Sequence, residues 1–267
     1  LLPLASHEAL APVAVTGAVH RGVGEREPGT MRLAGDQFLV GYNVDGVSWG
    51  YRATLDLRQS TMRLDQVLWG VGELADGVVQ HRHHDRASGR FAVAFSSALT
   101  PAQVAIVAAD GSTSMVTANR LPGVEPAMLS PGEDASYRSH DGLRISARLY
   151  RPAAGHGFSG PRPVIHYIHG GPQGQERPDF TWFSMPLIQY LTTLGFAVFV
   201  PNVRGSSGYG QAYMKHVDRD WGGQDRLDHV AGLRSLGDDP LLDTSRTGVM
   251  GRSYGGYMTL MLAGRHP

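Results

Sequence analysis

A β-rich segment followed by an α/β segment is what this sequence predicts, and three observations predict it. Up to about residue 128 the apolar residues fall in short strand-like runs separated by turn residues, with no amphipathic helix among them. From about residue 129 strands alternate with helices, which implies a mainly parallel sheet covered on both faces. Near the C-terminus Gly251-Arg252-Ser253-Tyr254-Gly255 follows an apolar strand, and Gly-x-Ser-x-Gly in that setting is the nucleophile elbow of an α/β-hydrolase. The expected fold class is therefore β plus α/β. Residues 1–128 are read as the C-terminal part of a β-propeller and residues 129–267 as the N-terminal half of an α/β-hydrolase domain, ending after the nucleophile helix.

The β-rich part reads as follows. Runs at 38–42 and 49–55 flank Asn43-Val44-Asp45-Gly46, and Asp-Gly between alternating runs is a hairpin signal. A strand over 89–96 carries Phe91-Ala92-Val93-Ala94-Phe95, and another over 104–108 closes at Asp110-Gly111. Four-stranded units of roughly 40–45 residues are the spacing of propeller blades. About two fit between Met31 and Arg120, where a closed propeller needs at least about four.

In the second part a strand is expected over 143–150 and a buried one over 163–169, where Val164, Ile165, Tyr167 and Ile168 make a mostly apolar run. A helix over 186–194 starts on Pro186, presents Leu187, Ile188, Leu191 and Leu194 on one face, and stops at Gly195. A third buried strand, 196–200, ends at Pro201. Leu227, Val230, Leu233 and Leu236 mark a further helix, a strand over 247–251 delivers Ser253, and a helix over 254–265 follows.

The chemistry follows from the elbow. Ser253 sits where a tight strand-to-helix turn exposes its hydroxyl, and attack on an acyl carbonyl places negative charge on the carbonyl oxygen. Two backbone N–H donors must already point there. Tyr254, just after the nucleophile, is one. Gly171 of His169-Gly170-Gly171-Pro172, at the end of an earlier strand, is the other, because glycine lets the backbone turn inward. His169 precedes the oxyanion glycine and is expected to support it rather than act as base. His266 lies three to four turns along the helix that starts at the serine, out of reach of Ser253. The spacing of glycines in 202–210 fits neither a dinucleotide loop nor a P-loop, so this is a shaped loop at the rim of the site, with Arg204 tying loops together. His81-Arg82-His83-His84-Asp85 is read as a solvated loop between strands, since neighbouring histidines without helical spacing point apart; no metal and no cofactor is expected.

Bulk properties narrow the classes. Lys+Arg and Asp+Glu are both 24, which gives no basic footprint for nucleic acid. Without cysteine there is neither a disulfide nor a thiolate metal site. A reducing, cytoplasmic setting fits, and no apolar run reaches the length of a membrane span. Leu1-Leu2-Pro3-Leu4 has no starter methionine and is read as an internal cut.

Several stretches together resemble the prolyl oligopeptidase family of serine peptidases, in its acylaminoacyl-peptidase and dipeptidyl-aminopeptidase-like branch. They are Tyr167-Ile168-His169-Gly170-Gly171-Pro172, Pro201-Asn202-Val203-Arg204-Gly205-Ser206-Ser207-Gly208-Tyr209-Gly210, Asp220-Trp221-Gly222-Gly223 with Asp225 and Asp228, and Gly251-Arg252-Ser253-Tyr254-Gly255-Gly256-Tyr257-Met258. The resemblance implies hydrolysis of short peptide substrates, gated by the propeller, with Ser253 as nucleophile. It also implies a downstream Asp and His and further blades upstream, which residues 1–267 lack; the chain is expected to be a fragment, inactive alone. A carboxylesterase or lipase of the same fold, and a non-catalytic protein-binding module, are the alternatives.

Overall fold

The computed structural model describes residues 24–26, 31–59 and 61–267; the expectation drawn from Leu1–Leu4 lies outside them. The chain first forms two antiparallel meanders. Strands β1 (Gly24–Arg26), β2 (Met31–Ala34), β3 (Gln37–Val44), β4 (Val47–Asp56) and β5 (Thr61–Trp69) make one sheet. Strands β6 (Gly77–Asp85), β7 (Arg90–Ser97), β8 (Gln103–Val107) and β9 (Thr113–Met115) make the other. The β3–β4 hairpin turns on Asp45 and Gly46, both at positive φ (49° and 87°), which is the twist-matched geometry that Asp-Gly favours.

The two sheets share one apolar core. Trp69 meets Phe91 edge-to-face with centroids 6.0 Å apart, and Leu39, Leu68, Val93 and Phe95 close around them. Gly50 makes room for the indole, since a Cβ there would sit 2.0 Å from it. Successive meanders packed face to face are the arrangement of propeller blades.

The segment His81–Asp85 departs from the sequence reading. It is the second half of β6, paired with β7 from His81↔Ala94 to Asp85↔Arg90. The ladder runs this far because the hairpin closes only beyond Asp85, whose carboxylate accepts the backbone N–H groups of Ala87 (3.0 Å) and Ser88 (3.2 Å). Side chains alternate along it, so His81 and His83 are exposed while His84 stacks on Phe91 at 4.6 Å.

The second sheet system contains β10 (Glu133–Asp134), β12 (Arg144–Tyr150), β14 (Ala197–Asn202), β13 (Arg162–Ile168) and β15 (Leu242–Gly251) in that spatial order, with β11 (Tyr137–Arg138) also pairing β12. Only β14, β13 and β15 are parallel. β12 runs antiparallel to β14, so the sheet is mixed rather than mainly parallel; the link 151–161 carries no crossover α-helix. Pro201 lies inside β14, opposite Ala147, instead of ending it. By then β13 has diverged, its pairing with β14 ending at His166↔Phe199, and that side of β14 is an edge where proline is tolerated.

Helix α1 (Ser184–Thr193) covers one face of the sheet, setting Met185 and Ile188 on Tyr150, Tyr167, Val198 and Val200. Leu194, read as part of that face, lies just past the last helical turn and is exposed. The short α2 (Gln211–Lys215) belongs to the loop after β14. On the opposite face α3 (Gln224–Ser235) and α4 (Tyr254–Arg265) cover Val164, Phe199 and Ile168. The buried side of α3 is not its leucine stripe but Asp225, Asp228, His229 and Gly232, spaced i, i+3, i+4, i+7. Leu227, Val230 and Leu233 are half-buried, while Leu236, just past the helix, joins the core. Among the described residues no helix is long and apolar enough to cross a membrane.

Candidate active site

The parallel register sets the site. Ile168 of β13 stands beside Gly251 of β15, so the loops that leave the carboxyl ends of these strands emerge side by side, the usual place for ligands in an open α/β sheet. One loop is His169-Gly170-Gly171 and the other is Arg252-Ser253. A Cβ on Gly170 would lie 3.3 Å from the Ser253 Cβ. Ser253 has φ 57° and ψ −121°, a strained conformation for a residue with a side chain, and its hydroxyl is exposed. The turn is tight enough to explain both flanking glycines. A Cβ on Gly251 would stand 2.5 Å from the Ile168 carbonyl oxygen, and one on Gly255 only 2.0 Å from the same atom.

Tyr254 opens α4, and its N–H is a first-turn donor for which the helix has no acceptor of its own. Its ring is fixed from α3 and the turn before it. The phenol donates to Asp225 and accepts the Gly222 N–H at 3.3 Å, and the ring meets Trp221 edge-on at 5.3 Å. Burial raises the Asp225 carboxyl, and burial followed by that carboxylate raises the Tyr254 phenol. The Asp220-Trp221-Gly222-Gly223 stretch therefore acts as the seat of the elbow. Gly171 has φ +133°, open to glycine and closed to other residues, and a Cβ there would meet the Gln173 N at 2.5 Å.

His169 is engaged at both ring nitrogens, by the Gly170 carbonyl at 2.8 Å and the Ser206 hydroxyl at 3.0 Å. Burial lowers its basicity. His266, at the far end of α4, contacts Arg226. The loop after β14 is held by Arg204, whose Nε and Nη2 donate to Asp228 at 2.8 Å each, while Nη2 also pairs with Asp141 at 2.9 Å. Asp228 accepts from the Arg204 N–H (3.1 Å) and the Ser139 hydroxyl (2.5 Å) as well. Among the described residues His140, Asp141 and Asp228 bring candidate metal-ligand atoms within 4.8 Å of one another, but the Arg204 guanidinium already bridges the two carboxylates.

Two buried features escape sequence reasoning. His166 and His229 form a 2.9 Å hydrogen bond, both fully buried; burial lowers His166 to about 3. No motif announces this pair, although a histidine in the middle of an apolar strand is a signal. The other is Glu176, on the loop after β13. Asn202 clamps its backbone, accepting the Glu176 N–H at 2.8 Å and donating to its carbonyl at 3.0 Å. Its side chain is 5 % exposed and lines a cavity of about 170 Å³ that also includes Ser253. The same loop is tied to the first sheet. Arg177 donates to the Gly46 carbonyl at 2.8 Å and to the Ser48 hydroxyl at 3.0 Å, and Asn43 donates to Gln175 at 2.5 Å.

Comparison with known proteins gives a consistent picture. Residues 181–267 match the prolyl oligopeptidase family. The peptidase YuxL of Bacillus subtilis is 38% identical over 138 residues, which is 51% of this chain and 20% of that protein. Dipeptidyl-peptidase 5 of Porphyromonas gingivalis is 33% identical over 106 residues, 39% of this chain and 15% of its own length. The chain thus spans a fifth or less of these curated relatives. Among solved structures, Pyrococcus horikoshii acylaminoacyl peptidase superposes with a TM-score of 0.68 at 22% identity, covering 90% of this chain and 35% of that one. A puromycin hydrolase gives 0.69 at 24% identity over 88% of this chain and 34% of its own. These likenesses carry the fold: propeller-type meanders followed by the first half of an α/β-hydrolase sheet.

Proposed function

We propose that the chain, whose residues 181–267 match the prolyl oligopeptidase family, supplies the nucleophile of a serine peptidase acting on short peptides through an acyl-enzyme on Ser253. The observation that carries this reading is the strained Ser253 backbone, at φ 57°, on a turn pressed against the His169-Gly170-Gly171 loop. Such strain persists only where the surroundings enforce it, and here it presents a hydroxyl at the mouth of a cavity.

In the proposed reaction the Ser253 Oγ attacks the scissile carbonyl carbon and its proton passes to a histidine base. Neither His169, bound at both ring nitrogens, nor His266, at the far end of α4, is placed to serve as that base, and the family resemblance implies a histidine C-terminal to the elbow. The Tyr254 and Gly171 N–H groups receive the developing oxyanion, and losing one such donor costs about 3–4 kcal/mol. Collapse expels the amine and leaves the acyl group on Ser253 for water to remove. Relatives named as dipeptidyl-peptidase and acylaminoacyl peptidase support a peptide substrate. The test is labelling of the complete gene product with a fluorophosphonate. Labelling is expected at Ser253 and is expected to vanish in Ser253→Ala; a Ser253→Ala variant labelled as strongly as the parent overturns the assignment.

A further inference from the structure

Among the described residues Glu176 is the one acidic side chain in the wall of the Ser253 cavity, and its surroundings make it an unusual lining group. It is 5 % exposed, and burying a carboxylate without a cation is costly. The group that eases the burial is the Ser184 hydroxyl at the start of α1, which donates to Oε1; no cation contributes. The position is rigid, because both backbone polar groups of Glu176 are taken by the Asn202 side chain. Tyr167, Trp182 and Phe183 supply aromatic faces to the wall, the last two about half exposed, and His169, Gln175 and Arg252 line it with Ser253 and two glycines.

A fixed, buried carboxylate among aromatic faces is the constitution of a site for a cation, which gains an ion pair at its head and ring contacts along its stem. We infer that the cavity beside Ser253 is a specificity pocket for a cationic group of the substrate, an ammonium or guanidinium, and that Glu176 is the residue that reads it. This rests on the proposed role of Ser253 only for the word substrate; the binding chemistry belongs to the cavity itself.

Other charged and titratable groups around Glu176 leave the assignment intact. Asp179 is a second negative charge that discourages its ionisation, after burial. Burial pushes Tyr167 up to about 12 and raises Tyr150 too, so both phenols are neutral. His169 is held neutral by burial. Arg252 is exposed at the rim with its guanidinium over the Phe183 ring at 4.8 Å, and Arg177 is directed to Gly46 and Ser48. Burial raises Glu176 to about 7, so a cation is favoured above neutrality and less so below it.

The experiment is calorimetric binding of benzamidine and its neutral isostere benzamide to the complete gene product. At pH 8 benzamidine is expected to bind at least about tenfold more tightly, with the preference shrinking at pH 6 and disappearing in Glu176→Gln. Ser184→Ala provides a second reading: without the hydroxyl the carboxyl titrates higher, and the midpoint of the preference moves to higher pH. N-acetyl-lysine methylamide against leucine methylamide separates a side-chain ammonium from an α-amine. Equal affinity for the two isosteres, no binding of either, or a preference that survives Glu176→Gln overturns the inference. Fluorophosphonate labelling of the parent protein reports on Ser253 separately, so a benzamidine preference without labelling removes the nucleophile reading alone.

Discussion

Gly255→Ala adds one methyl group at the tightest point of the elbow. Its Cβ would lie 2.0 Å from the Ile168 carbonyl oxygen, 2.8 Å from the carbonyl carbon and 3.1 Å from the His169 oxygen. Carbon and oxygen ordinarily approach no closer than about 3.3 Å, so the first turn of α4 must retreat from β13 by about 1.3 Å. That turn carries Ser253 and the Tyr254 N–H, and a misplacement of about 1 Å costs roughly a hundredfold in rate, or about 2.7 kcal/mol of barrier. Overpacking adds about 1–3 kcal/mol of lost stability, less the gain of up to about 1 kcal/mol for alanine over glycine in a helix. The neighbouring glycine is the control. A Cβ on Gly256 meets only the Gly251 oxygen, at 3.4 Å, so Gly256→Ala is expected to label at the parental rate and to melt no lower. Fluorophosphonate labelling rates and thermal unfolding of both variants, in the complete gene product, decide the matter. If Gly255→Ala labels and melts like the parent, or the two variants behave alike, the steric reasoning is refuted.

Two further outcomes follow from buried charge. Asp228→Ala leaves the buried Arg204 guanidinium with only the more exposed Asp141 as a carboxylate partner and should cost up to about 3–5 kcal/mol, lowering the urea midpoint by about 1 M, whereas Arg204→Met with Asp228→Leu should recover most of it; a midpoint unchanged in Asp228→Ala refutes this. The second concerns pH. Glu176 is raised by burial from 4.5 to about 7, so the folded state binds the proton more tightly than the unfolded chain, and stability is lost as pH rises through that window. Glu176→Gln removes that dependence, so its stability relative to the parent should fall by about 2 kcal/mol between pH 7 and pH 5, as denaturation midpoints measure; parallel profiles refute it.

The sequence made the strands and the elbow legible because both rest on local patterns. Asp45-Gly46 specifies its turn from two residues, and Gly251-Arg252-Ser253-Tyr254-Gly255 needs only the strand before it and the helix after. What was misread depends on partners distant in the chain. The polar run at His81–Asp85 becomes a strand because β7 stands opposite and Phe91 offers a ring to His84. Pro201 stays in β14 because β13 leaves it early, which no window around residue 201 reveals. The leucines of α3 marked the helix but not its inner face, which Asp228 and His229 hold against Arg204 and His166 across the layer. Glu176 carries no motif; its importance comes from Asn202, which lies 26 residues on and reaches its backbone.

The ties from Arg177 to Gly46 and Ser48, and from Asn43 to Gln175, bear on how such a molecule can be recombined. A chimera joined in the connection between the two sheet systems would leave the chain covalently sound but would separate the β3–β4 turn from the loop that carries Glu176. Arg177 would lose its acceptors, and the pocket wall would lose the brace on its outer side. The exchangeable unit is thus larger than either sheet system, and a graft that preserves selectivity has to move the β3–β4 turn together with residues 174–179.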